Sequence, residues 1–400
     1  MLVTLGACGS TAEAPGSTPP TITAPSTTTT PTTASTPSTP STTPAVPAAE
    51  LDLGEFTPTA SKVPAVVADE EAGEVAEGYR LAEYVVDPYD FDGTLTKPGQ
   101  PSTVVANGAA LSNMYYFTAP LKQWVTGFGA TRRTETPAEE VSSSVLLFRS
   151  PAEAAKAARG LHTKYLESTN ENDQHDRKIV LRAHPRALVT AQTNYGDRDV
   201  TAVEASGRGL LIIYATSKTK SFATLQTVVA SVLVRQRQLF GQFKGTATVA
   251  ALPVDPRGLL GKTLAGDAKG SLAPTAFSGG PLTATHFVTE PQGVIGIFRA
   301  AGVDAIAANR AAVLRAGSHV QAQRLHTGLA AATEFAYAVA APPKGLGQAA
   351  CFSLKRGQPG LRPAFSCQVA VDRYVAQASG KSLLEAQQLI SAQYLVLTGS

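Results

Sequence analysis

Asp90 and Asp92, in "DFDGTLT" (residues 90–96), have the spacing of a nucleophilic carboxylate and its acid/base partner. In that chemistry one aspartate attacks a phosphoryl group beside a Mg²⁺ ion. The second, turned by the glycine, handles the leaving-group proton. Both must sit at the C-terminal end of a buried parallel strand. The residues just before them are Val86, Asp87, Pro88 and Tyr89, and a proline and a charge spoil a central strand. Downstream, "KPGQPS" offers a loop where a helix or cap should follow. The late acidic candidates, Asp197 and Asp199 in "YGDRD", fall in a turn between strands that read as antiparallel.

The letters of that string resemble the haloacid-dehalogenase-type phosphatases, which makes a Mg²⁺-dependent phosphohydrolase the alternative reading. Other fragments are weaker. "ASGKS" (378–382) looks like half a phosphate-binding loop, but the loop's first glycine would fall at Val375, and Ser382 with Glu385 reads as a helix capping box. Ser217 and Lys220 in "SKTK" have an S-x-x-K spacing without its companion motifs. His162 and His326 occupy matched helix positions, and no histidine pair has metal-ligand spacing. The aromatic cluster Met114 to Phe117 with Trp124 and Phe128 reads as core.

The 400-residue chain carries a net charge of +3 with scattered basic residues, so no nucleic-acid partner is expected. No run approaches the ~20 apolar residues of a membrane span. Cys8 ends "LGAC", a lipobox-like string, and the expected modification is lipidation of its thiol with a diacylglycerol and palmitate-type chain. Upstream of Cys8 there is no positive segment and too few apolar residues for a signal's hydrophobic core, so the reading expects a start before Met1. Residues 9–50 are almost entirely Thr, Ser, Pro and Ala. Such a stretch cannot offset its ordering entropy and reads as a disordered tether. Cys351 and Cys367 flank the turn "KRGQPGLRP" symmetrically in an expected hairpin. Opposed positions on antiparallel strands suit a disulfide.

The elements that would position these residues follow in order. "SSSVLLFR" reads as a strand and "SPAEAAKAARGLHTKYL" as a helix capped by Ser150 and Glu153. Strands are expected at "RALVTAQT", "DVTAVEAS" and "GLLIIYAT", then a helix over "SFATLQTVVASVLVRQRQLF". The later chain repeats this. "GVIGIFRA" pairs with "SVLLFRS", "RLHTGL" with "GLHTKY", and "FAYAVAA", "AACFSL" and "AFSCQVAVDRYVA" read as strands before a last helix, "SLLEAQQLISAQYLVL". The expectation is an α+β fold of two similar, duplicated halves, each of mainly antiparallel strands packed by helices. Its boundaries are 1–8 signal and lipobox, 9–50 tether, 51–245 first domain and 246–400 second.

"LGAC", the Thr/Pro tether, "LDLGEF", "RLAEYVVDPYDFD" and the closing "C…SCQVAVDRYVA…AQQLISAQY" together resemble a family of actinobacterial (mycobacterial- and nocardial-type) lipoproteins with no assigned activity. The resemblance implies the outer face of the cell membrane, with the membrane itself as a partner through the N-terminal lipid. The expected function is a non-catalytic binding or interaction module for a cell-wall component, lipid or envelope protein, without a cofactor.

Overall fold

Apolar residues run almost unbroken through "SVLLF" and "GLLIIYA", a pattern that suits strands covered on both faces. The computed structural model, which describes residues 46–99, 103–104, 124–136, 139–169, 175–246, 248–273, 276–286, 288, 291–355 and 363–399, places them at the centre of an antiparallel sheet. That sheet comprises β1 (Lys97–Pro98), β2 (Thr103–Val104), β3 (Trp124–Arg133), β4 (Glu139–Phe148), β5 (Arg177–Ile179), β6 (Leu188–Asn194), β7 (Asp197–Ser206) and β8 (Gly209–Ser217). Its order is β1-β3-β4-β8-β7-β6-β5, with β2 also on β3. Helix α2 (Pro151–Glu167) covers one face through Leu146, Leu210 and Ile212. Helices α1 (Glu70–Ala82) and α3 (Phe222–Phe240) cover the other through Phe128, Leu211 and Ile213. The Ser150–Glu153 capping box starts α2 as expected. Tyr195 and Gly196, both at positive φ, make the two-residue turn from β6 to β7.

The second sheet holds β9 (Phe277–Gly279), β10 (Ala305–Ala308), β11 (Ala312–Arg315), β12 (Tyr337–Ala340), β13 (Ala350–Leu354), β14 (Phe365–Val371) and β15 (Tyr374–Gly380). Its order is β12-β13-β14-β15-β11-β10-β9, all antiparallel. The path β10-β11-β15-β14-β13-β12 repeats β3-β4-β8-β7-β6-β5 strand for strand. Helix α6 (His319–Thr333) follows β11 as α2 follows β4, and α7 (Leu383–Thr398) follows β15 as α3 follows β8. Each half is therefore the same α+β unit. Helices α4 (Pro281–His286) and α5 (Pro291–Ala300) are additions to the second.

Two details differ from the sequence reading. "GVIGIFRA" lies in helix α5 and is not the counterpart of β4, a place taken by β11. "AFSCQVAVDRYVA" is two strands, turned at Asp372 with φ 48°. The repeat is also registered differently. The caps Ser150 and Ser318 are 168 positions apart, and buried Ala154, Ala157, Leu161 and Tyr165 correspond to buried Ala322, Leu325, Leu329 and Thr333 at the same offset. The two "LHT" strings, 164 apart, are thus displaced by one helical turn, which keeps them near the same helix face.

Residues 46–63, expected as the end of the tether and the start of the first half, pack on the second. Leu51, Leu53, Phe56 and Val63 lie against its core, and the Val46 N–H donates to the Tyr394 hydroxyl (2.9 Å). Ser61 N–H donates to Thr263 carbonyl (3.0 Å). Apolar spacing shows that a segment must be buried; it does not show which core receives it. From this strap the chain enters α1, builds the first half and returns through residues 248–264.

Candidate functional site

The two aspartates of "DFDGTLT" do not end a parallel strand. Asp90 closes a 3-10 turn (Pro88–Asp90), and every strand pair among the described residues is antiparallel. Asp92 folds back on its own turn. Its Oδ1 accepts from the Thr94 N–H (2.9 Å) and hydroxyl (2.5 Å), and its Oδ2 faces Lys220 Nζ at 3.4 Å. Burial works against its charge, but those bonds and Lys220 hold its carboxyl below the ordinary value. Asp90 moves the other way, pushed up by burial and by the neighbouring Asp87.

Asp87, passed over as a strand breaker, is the buried member of the string. Its carboxylate receives Arg132 Nε (3.0 Å) and one terminal nitrogen (2.9 Å) from β3. The same guanidinium donates to the carbonyls of Thr285 (2.9 Å) and Val288 (2.6 Å), at and just past the end of α4. The Thr285 carbonyl also accepts from the Val288 N–H (3.1 Å), so the guanidinium adds a second donor there and ties down the chain just past the helix end. Arg132 is 1% exposed and Asp87 5%. Burial opposes the charge on Asp87, but Arg132 holds its carboxyl below the usual range. His286 sits beside them with Nε2 3.0 Å from the Ala82 carbonyl, and burial lowers its pKa. The three residues form a latch between the halves and leave Asp87 no access to a substrate.

The remaining sequence candidates take structural places. Ser217 Oγ donates to Glu139 (3.1 Å) and accepts from the N–H groups of Thr219 and Lys220, while Lys220 Nζ pairs with Glu139 at 2.5 Å. Ser382 caps α7, and Glu385 reaches one residue further back than a capping box, to the N–H of Lys381 (2.7 Å). His326 Nε2 lies 3.3 Å from the Gln368 carbonyl, and His162 is on the buried face of α2 itself. Phe128 is core, 5.0 Å from the His286 ring, and Trp124 packs on the α2 cluster. Cys351 and Cys367 pair across β13 and β14 and form the expected disulfide. Cys8 and Met114 to Phe117 lie outside the described residues.

The sequence reading missed the space between the halves. Asp69 caps α1 by accepting from Ala72 N–H (2.8 Å), and the helix then lies across the seam. Gly73 and Gly78 have no Cβ because one would strike the Val249 carbonyl and the other Val104 and Thr126. Along the outer side of α1 runs a groove of two adjoining cavities, about 500 Å³ and 700 Å³. The first is mainly apolar, with Val67, Val75, Ala76, Val254, Leu272 and Phe277 in its wall. The second carries Arg80, Lys244 and Arg257 with Tyr84 and Phe243. Tyr79 and Phe277 stack across the seam (4.7 Å) where the cavities meet. Both volumes suit a small-molecule ligand. Glu77, almost wholly buried, holds Arg80, which lines both cavities, and accepts from the Thr246 N–H. A capped helix with Tyr79 near its end was the available signal, but the residues facing it, 253–278, are remote in sequence.

A second polar cluster lies within the first half. Asp199 on β7 accepts from the Tyr214 hydroxyl (3.2 Å), and Asp176 lies nearby. Burial pushes both carboxyls up to about 6. Burial likewise raises Tyr165 and Tyr214.

Comparison with known proteins gives a family without an assigned chemistry. Residues 64–254 match the model described as domain of unknown function (DUF7373) N-terminal, and residues 259–400 match its C-terminal counterpart. No curated protein matches the chain. Among solved structures, the extracellular domain of PknH from Mycobacterium tuberculosis is similar to part of it, at 10% identity and a TM-score of 0.31. That match covers 42% of this chain and 98% of the other.

Proposed function

The chain belongs to the DUF7373 family, both of whose parts it carries in order, and we propose that it is a non-catalytic binding module of the cell envelope. In this reading a lipid on Cys8 holds it to the outer face of the membrane, and the ligand enters the groove along α1. The groove carries the proposal: two adjoining cavities between the halves, walled by residues of both. The Cys351–Cys367 disulfide fits an oxidising compartment. Among the described residues no helix is long and apolar enough to cross a membrane, so lipidation would supply the attachment.

The test is extraction of the full-length protein from host membranes with a phase-separating detergent, followed by native mass spectrometry. The protein is expected in the detergent phase with a bound ligand that Ala76→Trp, which fills the first cavity, expels. Cys8→Ala should shift the protein to the aqueous phase. A ligand retained by Ala76→Trp would place binding elsewhere. Detergent partitioning that survives Cys8→Ala would remove the anchor.

A further inference from the structure

Resting on the groove as the binding site, we infer that its ligand is a single-chain anionic amphiphile, such as a lipid with one long acyl chain. The acyl chain would occupy the apolar cavity and the anionic head the cationic one. Three observations carry this. The cavities adjoin, sharing Tyr79, Arg80, Pro256 and Ser278 in their walls, yet differ in chemistry, as an amphiphile requires. The apolar one is walled by aliphatic residues, proline rings and the Phe277–Tyr79 stack, so an alkyl chain gains by leaving water there.

The second cavity has a positive balance. Arg80, Lys244 and Arg257 line it, against Glu83 alone among the acidic residues. One Glu83 oxygen accepts from the Thr283 N–H (2.6 Å) and hydroxyl (2.5 Å), and the other lies beside Gly280 with the Arg257 guanidinium, so the lining sets three cationic side chains against one carboxylate. Arg80 is committed to Glu77 and Thr246. Arg257 spends one nitrogen on the Asp304 carbonyl (2.8 Å). Neither Lys244 nor Arg257 is ion-paired with a carboxylate among the described residues.

The third observation sets the direction. Asp69 and Glu71 border the far end of the apolar cavity. They would repel an anionic head, so it faces Lys244 and Arg257 while the chain runs along α1 toward its N-terminus.

A calorimetric series on the full-length protein tests this, using straight-chain alkyl phosphates of about eight to about fourteen carbons below their micelle concentrations. Each added methylene should tighten binding roughly fourfold until the cavity is full, and then no further. Glycerol phosphate, a head without a chain, should show no binding. An alkyl trimethylammonium of the same length should bind at least about tenfold more weakly. The double variant Lys244→Gln/Arg257→Gln should lose about tenfold for the phosphates at low salt while keeping the chain-length slope. Ala76→Trp should abolish binding. Where Ala76→Trp lowers the melting temperature, Val75→Phe, at a half-buried cavity position, replaces it.

Equal affinity for the two head charges, or affinity independent of chain length, overturns the inference. If no alkyl compound binds but the membrane-extracted protein carries a ligand that Ala76→Trp expels, the amphiphile is wrong and the groove stands. If Ala76→Trp also expels nothing, both fall.

Discussion

Asp199 shows how one carboxylate can tie the first half to pH. In the unfolded chain it titrates at its ordinary value near 3.8, and in the folded protein at about 6. Between those values the native state binds the additional proton, so this group makes stability fall as pH rises through that window. Above it the full penalty applies, and Asp176, also raised to about 6, adds in the same sense. The expected outcome is that Asp199→Asn raises stability at about pH 7.5 by roughly 1–3 kcal/mol. The substitution keeps an oxygen to accept from Tyr214 and should flatten the pH 5–7 profile of urea unfolding. A profile for Asp199→Asn as steep as that of the native protein would assign the dependence to other groups. Asp87 illustrates the opposite case. The same burial is outweighed by Arg132, which holds the carboxyl below its ordinary value. Its neighbours in "DFDGTLT" drew attention through their spacing, but what matters for Asp87 is the guanidinium opposite it, 45 positions away.

Among the elements, the legible ones carry their signals locally. The Ser150 capping box, the helical period of Leu225, Val229, Val232 and Leu233, and the cysteines placed symmetrically about a turn each announce their structure within one segment. α5 misled because a short apolar run has no period that separates helix from strand; its packing against α6 and α4 decides. The strap and the groove were illegible for a different reason. Leu51 and Phe56 find their core across the whole chain, and Phe277 meets Tyr79 across all of the first half's sequence. The disulfide hairpin is the element most open to direct test. Cys351 and Cys367 are wholly buried and cross-link strands 16 positions apart. Replacing both by alanine should cost about 3 kcal/mol, chiefly by freeing the unfolded chain. In hydrogen exchange the loss of protection should be larger in β13 and β14 than in β7 and β8. Uniform loss across both sheets would mean that the bridge supports the whole molecule instead.

At the scale of the whole molecule, the repeat makes two units and the latch makes them one. Each sheet has its own covered faces, so nothing in the repeated order requires the halves to unfold together. Two features couple them. The strap lends residues 46–63 to the second core before the chain builds the first, and Arg132 of the first half holds the end of α4 in the second. Arg132→Ala leaves Asp87 buried without its partner and takes the guanidinium donor from the Val288 carbonyl, while Thr285 keeps only the Val288 N–H. The expected loss is about 3–5 kcal/mol. Because the damage lies at the seam, single-step denaturant unfolding should separate into two transitions, one for each sheet. Asp87→Asn with Arg132→Met removes both charges and should cost less than Arg132→Ala alone, because no carboxylate is stranded. Tryptophan fluorescence follows the first half through Trp124, and near-ultraviolet signals from the disulfide follow the second. Coincident transitions in Arg132→Ala would show that the strap and α1 suffice to couple the halves. The latch would then stabilise the seam without controlling it, and the groove, whose walls come from both halves, would owe its shape to α1 alone.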